Sequence, residues 1–212
     1  MRPIRFALLA ASCIALAACG NQEIIEDGGV RIVRSACPSV AIPAETGDIT
    51  LFRNAGTAAA GDIDVTAYMT RLRSSCGENG DQIVSTATYE VHGTRPAGGP
   101  ARDVVIPTFA TVVQGGTSIV AKRRSAVLLR FADGATRAST TAQAQGVVNR
   151  AAATLPAETV KQLTRRRRPG DADAALDPLA DPAVRAAVQR ASFELLVGFQ
   201  LTPEQLRYNA TR

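Results

Sequence analysis

Few side chains in this sequence could do chemistry, because the chain holds one histidine and four cysteines. The single histidine, His92, excludes metal sites built from several histidines. A Ser-His-Asp triad needs only one histidine, so a weak hydrolase that uses His92 stays an alternative, although no Gly-x-Ser-x-Gly motif is present. Asp62 and Asp64 would share one face of a strand, as paired carboxylates of glycosidases do, but the chain has no tryptophan for a sugar platform. We therefore expect a non-catalytic protein without a cofactor.

The first eighteen residues have the organisation of a secretory signal peptide. Arg2 and Arg5 form a basic start, and the uncharged stretch 6–18 follows. Thirteen helical residues rise about 20 Å, which is too short to cross a hydrocarbon core of about 30 Å. A basic start, a short apolar stretch and small residues at its end are typical of a removable signal. We expect residues 1–18 to be a signal peptide.

The signal ends in Leu16-Ala17-Ala18-Cys19-Gly20, which resembles the lipobox of bacterial lipoproteins. The resemblance implies that Cys19 becomes the mature N-terminus and carries a thioether-linked diacylglyceryl group, usually with a third acyl chain on its amine. The glycine at the second mature position, where an aspartate would imply the inner membrane, implies the outer membrane with the domain facing the periplasm. Two or three acyl chains, at about 0.8 kcal/mol per buried methylene, give a lasting anchor.

Two cysteines, Cys37 and Cys76, remain in the exported part of the chain. In an oxidising compartment an isolated pair most simply forms one disulfide, with two free buried thiols as the alternative. Removal of Arg2 and Arg5 with the signal lowers Lys plus Arg from 24 to 22 against 19 Asp plus Glu, so the net charge falls from +5 to +3. This small excess gives no argument for nucleic acid as a partner.

The densest charge in the chain is the run Arg165-Arg166-Arg167-Arg168. Guanidinium groups pair well with phosphate, so one alternative is a module that binds anionic lipid or lipopolysaccharide through these four residues. The other interpretation is a solvated loop, because four aspartates follow within thirteen residues and partly neutralise the run. Those aspartates lack EF-hand spacing, so we expect no metal site. We favour a charged insertion at about 165–182.

The rest of the chain mostly has the hydrophobic pattern of β-strands. Residues 19–29 are a polar, lipidated tether, and its ten residues after Cys19 span at most about 35 Å. The candidate strands lie at 30–32, 49–52, 62–72, 83–91, 104–113, 118–121, 127–131 and 191–199. The glycine pairs between 77 and 80 and at 115–116 predict tight turns. Over 138–163 strand and helix compete, and we expect a strand to about 152 and then a helix from 156.

Short strands separated by turn residues predict an all-β fold. We expect residues 30–212 to form an antiparallel, immunoglobulin-like sandwich. Thr202, Pro203 and Gln205 form a capping-box pattern, which predicts a short C-terminal helix.

The C-terminal sequence also carries a second resemblance. The run Gly198-Phe199-Gln200-Leu201-Thr202, followed by Gln205-Leu206 and Tyr208-Asn209, is similar to the ending of an uncharacterised bacterial lipoprotein family. The likeness also includes Cys37-Pro38 and Ile106-Pro107-x-Phe109, and it implies no activity. The sequence therefore predicts a lipid-anchored envelope protein with a binding or structural role, whose partners are the membrane, through the acyl chains, and an envelope protein complex.

Overall fold

The computed structural model describes residues 35–54, 59–165, 170–172 and 175–211. One compact unit includes residues 35–164 and 176–211. The other described residues, 165, 170–172 and 175, belong to a second unit. The expected signal peptide, the tether and the strand expected at 30–32 all lie outside the described residues.

Eight strands form most of the first unit. They are β1 Ser39–Ala41, β2 Asp48–Phe52, β3 Ile63–Asn79, β4 Gln82–Thr94, β5 Arg102–Gln114, β6 Ser118–Phe131, β7 Arg137–Asn149 and β8 Phe193–Phe199. The four helices are short: α1 Arg150–Ala153, α2 Ala157–Thr164, α3 Pro182–Arg190 and α4 Pro203–Ala210. Two 3-10 turns, Ala60–Asp62 and Pro178–Ala180, complete the described elements.

The strands form two four-stranded sheets. The first sheet has the order β1-β8-β5-β6, and the second has the order β2-β3-β4-β7. Every pair is antiparallel except β1 and β8, which run parallel. The mostly β fold with two sheets and a short C-terminal helix is as the sequence predicts, but the parallel pair departs from the expected antiparallel arrangement.

The two sheets share one hydrophobic core, to which alternate residues of the strands contribute. In β4 the odd-numbered residues from Ile83 to Val91 are buried and their neighbours are partly exposed, which is the period-two pattern of a half-buried strand. The opposite sheet contributes residues such as Ile106, Leu129 and Leu195, each almost fully buried. Burial of these aliphatic and aromatic side chains between the sheets is the main favourable contribution to folding.

At Gly146 the absence of a side chain leaves room for side chains of the opposite sheet. A Cβ added at Gly146 of β7 would lie 2.8 Å from Val112 Cγ2 and 3.0 Å from Leu195 Cδ1 of the opposite sheet. Tyr89 on β4 is buried facing the first sheet, where Thr108 of β5 is the polar group beside its phenol. These contacts fix how the sheets face each other.

The helix predictions are correct for α2 and α4, whereas two further helices were not predicted, and the first of them, α1, takes up residues 150–152, over which a strand was expected. β7 ends at Asn149 and α2 begins at Ala157, close to the expected boundaries. α4 begins after a full capping box, in which Thr202 and Gln205 bond each other's backbone. α3 was not expected, because its Ala-rich sequence sits directly after the charged stretch; Asp181 caps it by accepting from Ala183 N at 2.8 Å.

Candidate functional site

The expected disulfide is present and confirms that prediction. Cys37 and Cys76 are bonded, with a Cα–Cα distance of 6.1 Å. Cys76 lies on β3 in the second sheet, whereas Cys37 stands two residues before β1 in the first sheet. β1 pairs with β8 through only three residues. The disulfide therefore supplements a very short strand at the point where the described chain begins.

Two of the predicted sites fall mainly on residues that the structure does not describe. Cys19, the expected lipidation site, lies outside the described residues, and so do Arg166, Arg167 and Arg168. Of the arginine run only Arg165 is described. Lipidation at Cys19 and anion binding by 165–168 stay predictions.

His92 lies on the outer face of the second sheet. Its ring stacks on Tyr68 of the adjacent strand at 5.3 Å, and its Nε2 is 3.1 Å from Glu90 Oε2. Arg71 Nη1 donates to the other oxygen of Glu90 at 3.3 Å. Ser139 pairs with His92 across the sheet through the backbone, but no described serine hydroxyl is hydrogen-bonded to the imidazole. The histidine thus joins a surface cluster with a glutamate and a tyrosine, and the hydrolase alternative stays a prediction.

A cavity of about 280 Å³ near the starts of β3 and β5 brings together three arginines that the sequence analysis did not single out. Its lining residues are Arg53, Asp64, Arg95, Pro96, Ala97, Pro100 and Arg102. We call this the arginine cavity. The prolines and the alanine give it one apolar wall.

Arg95 is the buried arginine of the arginine cavity, and its hydrogen bonds join the loops that line it. Its side chain is almost fully buried, and its guanidinium donates to four backbone carbonyls, those of Gly99, Pro100, Ala132 and Ala135, at 2.6–3.2 Å. The same guanidinium lies 5.2 Å from the Phe131 ring centroid. No described carboxylate pairs with it, so its charge is balanced by carbonyl dipoles and the ring face alone.

The other two arginines line the open side of the arginine cavity. Arg102 Nη2 donates to Asp64 Oδ1 at 2.7 Å, and Arg53 donates to the carbonyls of Gly61 and Ile63, each at 3.2 Å. Each guanidinium has five N–H donors, so three of Arg53 and four of Arg102 have no partner among the described residues.

The arginine cavity is therefore suited to an anionic group. Its lining carries three positive charges against one carboxylate, that of Asp64, while the nearby Asp62 carboxylate accepts from Asn54 at 3.2 Å. Planar guanidinium groups with free donors bind carboxylate or phosphate in bidentate fashion. Asp62 and Asp64 thus have separate polar partners. They do not share a strand face as expected, because Asp62 ends the 3-10 turn before β3 and only Asp64 lies on the strand, and both residues are half-buried.

A second depression, of about 660 Å³, lies near the end of β7 and includes Asp81 and Arg150 in its lining. Arg150 pairs there with Glu78 at 3.1 Å and with Asp81 at 3.4 Å. Because its charges are paired internally, this depression offers less to a charged ligand than the arginine cavity does. Among the described residues no three histidine, cysteine, aspartate or glutamate side chains are grouped so as to hold a metal ion.

The C-terminal segment packs against the sandwich. Asn209 Nδ2 donates to the carbonyls of Glu45 and Asp48, both at 2.8 Å, and the Tyr208 ring meets Phe52 edge to face at 5.3 Å. Phe199 is fully buried, whereas Leu206 is half exposed. The segment is thus a buried strand followed by a packed helix.

Sequence reasoning missed the arginine cavity because its members are far apart in the chain. Arg53, Arg95 and Arg102 each stand singly, with no second basic residue beside them to draw attention. The one local signal is an arginine between a strand end and Pro96, where four loop carbonyls need donors.

Comparison with known proteins adds no relative, since no family model, curated protein or solved structure matches the chain. The resemblance of the C-terminal segment to a lipoprotein family therefore stays a prediction. Within the described part of the chain, no helix has the length and apolar character needed to cross a membrane.

Proposed function

We propose that the protein is a lipid-anchored lipoprotein of the bacterial cell envelope. In this proposal Cys19 carries acyl chains in the outer membrane, and the sandwich faces the periplasm as a non-catalytic domain with a binding or structural role. The observation that carries the proposal is the disulfide between Cys37 and Cys76. Stable disulfides belong to oxidising compartments, which agrees with the secretory signal at 1–18.

The position of this disulfide also fits an anchored N-terminus. Among the described residues Cys37 lies close to the expected tether in sequence, and the strand that follows it, β1, is held to β8 by only three residue pairs. The covalent bond to β3 passes a force on the tether to the second sheet. An anchor on the preceding chain would otherwise pull on the weakest-paired strand of the fold.

For the binding role, we propose that the arginine cavity accepts an anionic group of an envelope partner. The free donors of Arg53 and Arg102 support this, as does the excess of positive charge in the lining. Because both side chains are accessible at the surface, a carboxylate or phosphate on a partner can reach them.

The anchor is tested by fractionating cells that express the full chain or its cysteine variants. Cys19→Ala removes the only sulfur that the lipobox positions for acylation, so we expect this variant to lose acyl-chain labelling. Cys13→Ala is the matched control, since it lies within the signal and should label like the wild type. Equal labelling of Cys19→Ala and wild type would refute the anchor.

The binding role is tested by cross-linking in membranes. We expect Arg102→Gln to remove a cross-linked species that the wild type forms. The control Arg130→Gln changes another arginine paired with an aspartate: Arg130 of β6 pairs with Asp103 of β5, outside the arginine cavity. If both variants keep the species, the cavity is not the binding site.

For the fold, we propose that the domain resembles an immunoglobulin domain only in its architecture of two packed sheets. Two sheets that share one core support it. The orders β1-β8-β5-β6 and β2-β3-β4-β7 differ from the A-B-E-D and C-F-G orders of immunoglobulin constant domains, so the likeness does not extend to connectivity.

A further inference from the structure

The β5–β6 hairpin presents an unusually exposed edge. β6 is the last strand of the first sheet, and all nine residues at 118–126 are exposed. We call residues 118–126 the hairpin edge. It follows a turn at Gly115 and Gly116, both with positive φ, and begins with two aliphatic side chains, Ile119 (65% exposed) and Val120 (49% exposed).

Three cations follow the two aliphatic residues on the hairpin edge. Lys122, Arg123 and Arg124 are all exposed, and none of them pairs with a carboxylate of the described residues. Lys122 Nζ lies 5.3 Å from the centroid of the Phe109 ring on β5. The sequence therefore joins an apolar tip to a cluster of unpaired positive charge within six residues.

Protection of a sheet edge explains only part of this pattern. Lysine and arginine on an edge strand discourage pairing with other chains. Ile119 and Val120 have the opposite effect, since exposed β-branched residues on an edge favour association. An apolar tip with a basic flank instead matches an anionic bilayer, where aliphatic groups enter the interface and cations bind phosphate headgroups.

The strand register places the hairpin edge beside the start of the described chain. Ser39 pairs with Glu194, Glu194 with Val113, and Val113 with Ile119, so these four residues form one row across the first sheet. Three strand spacings make this row about 14 Å long. Towards its N-terminus, the chain leaves the row at the same end of the sheet as the hairpin turn, because β1 is antiparallel to β5.

We propose that the hairpin edge docks on the anionic surface of the bilayer in which Cys19 is anchored. This inference rests on the proposed lipid anchor, since Cys19 precedes Ser39 by twenty residues and confines this end of the sheet near the membrane. Ile119 and Val120 enter the interface, and Lys122, Arg123 and Arg124 bind phosphate groups. Acidic side chains at the same end are Glu194, beside Val113 in the row, and Glu78 and Asp81, which are paired with Arg150.

The chain has no tryptophan, so one introduced indole reports its own environment. The lipidated Ile119→Trp protein is reconstituted in vesicles of phosphatidylcholine, with or without phosphatidylglycerol. On the anionic vesicles we expect a blue shift of emission and a loss of acrylamide quenching. Both should reverse at about 1 M salt, where the Debye length falls to about 3 Å.

Two variants are matched to this probe. Val105→Trp lies on β5 with nearly the same exposure, 62%, but about 26 Å along the strand from the row, so its emission should not respond to lipid charge. Ile119→Trp combined with Lys122→Gln, Arg123→Gln and Arg124→Gln should lose the blue shift. Identical responses of Ile119→Trp and Val105→Trp would overturn the proposal. So would a blue shift on neutral vesicles that grows with protein density, which would mean that a second copy covers the edge.

Flotation separates failure of the docking from failure of the anchor. If the chain does not float with neutral vesicles, the anchor is refuted, and the chain without lipid is then titrated with phosphatidylglycerol vesicles. There the three glutamine substitutions should weaken binding on the order of a hundredfold, at about 1 kcal/mol per cation. An unchanged affinity would refute the docking independently of the anchor.

Discussion

The disulfide between Cys37 and Cys76 joins the segment just before β1 of the first sheet to β3 of the second sheet. Cys37 leads into β1 of the first sheet, and Cys76 belongs to β3 of the second. A tether attached here is held by one covalent bond as well as by backbone pairing.

Removing the disulfide should destabilise the fold without changing its core. The bond closes a loop with a sequence separation of 39, worth about 4 kcal/mol in the chain-entropy model. We expect the variant Cys37→Ser, Cys76→Ser to have a free energy of unfolding lower by this amount, and therefore to unfold at a lower urea concentration. Reduced wild type should match the variant. Equal midpoints for oxidised wild type and the variant would contradict the account.

Replacing Arg95 should destabilise the loops beneath the arginine cavity. Arg95→Met keeps most of the volume but leaves the carbonyls of Pro100 and Ala135 without a donor, at a cost of about 3 kcal/mol. The carbonyls of Gly99 and Ala132 lose one of two donors, since they also accept from backbone N–H groups. Arg130→Met, on a largely exposed side chain, should change the free energy of unfolding by less than about 0.5 kcal/mol. Chemical denaturation compares the two variants, and equal small losses would show that the carbonyl bonds contribute little.

A methyl group at Gly146 should push the sheets apart. Its Cβ would lie 2.8 Å from Val112 and 3.0 Å from Leu195, both buried, so we expect Gly146→Ala to cost about 1 to 3 kcal/mol. At Gly77 a Cβ meets nothing within 4 Å, and Gly77→Ala should be neutral or slightly stabilising. If Gly146→Ala and Gly77→Ala had the same melting temperature, the sheets would accommodate a methyl group at Gly146 without cost.

Stability should fall at alkaline pH because of Tyr89. Burial raises the pKa of its phenol above the ordinary value near 10, with the Thr108 hydrogen bond opposing this. Above that ordinary value the unfolded chain loses the phenolic proton first, so the folded state becomes less stable as pH rises towards the folded pKa. Tyr89→Phe should flatten this part of the pH profile of the free energy of unfolding. If the stability of Tyr89→Phe still fell steeply at alkaline pH, the loss of stability would come from another group.

Local sequence signals were sufficient for most of the fold. The alternation in β4 and β8, the turn at Gly115 and Gly116, and the capping box before α4 each arise from neighbouring residues, and each is found where expected. The expected turn at 77–80 is narrower in the structure, because β3 continues to Asn79. Likewise β6 is one strand from Ser118 to Phe131 rather than two pieces, since its exposed middle has no alternation to follow.

The contacts that the sequence did not reveal are those between distant segments. Arg95 meets carbonyls up to forty residues away, and Asn209 meets carbonyls more than 160 residues away. The parallel β1–β8 pair is likewise a long-range contact. No local pattern encodes such pairings, whereas Cys37 and Cys76 could be paired because they are the two cysteines that follow the predicted signal and lipobox.

The intact mass of the chain purified from membranes, measured without and then with reductant, tests the central claim most directly. We expect a mass that begins at Cys19, includes acyl chains and rises by two hydrogens on reduction. A mass that begins elsewhere and lacks lipid would contradict the lipoprotein proposal, and a mass unchanged by reductant would contradict the disulfide.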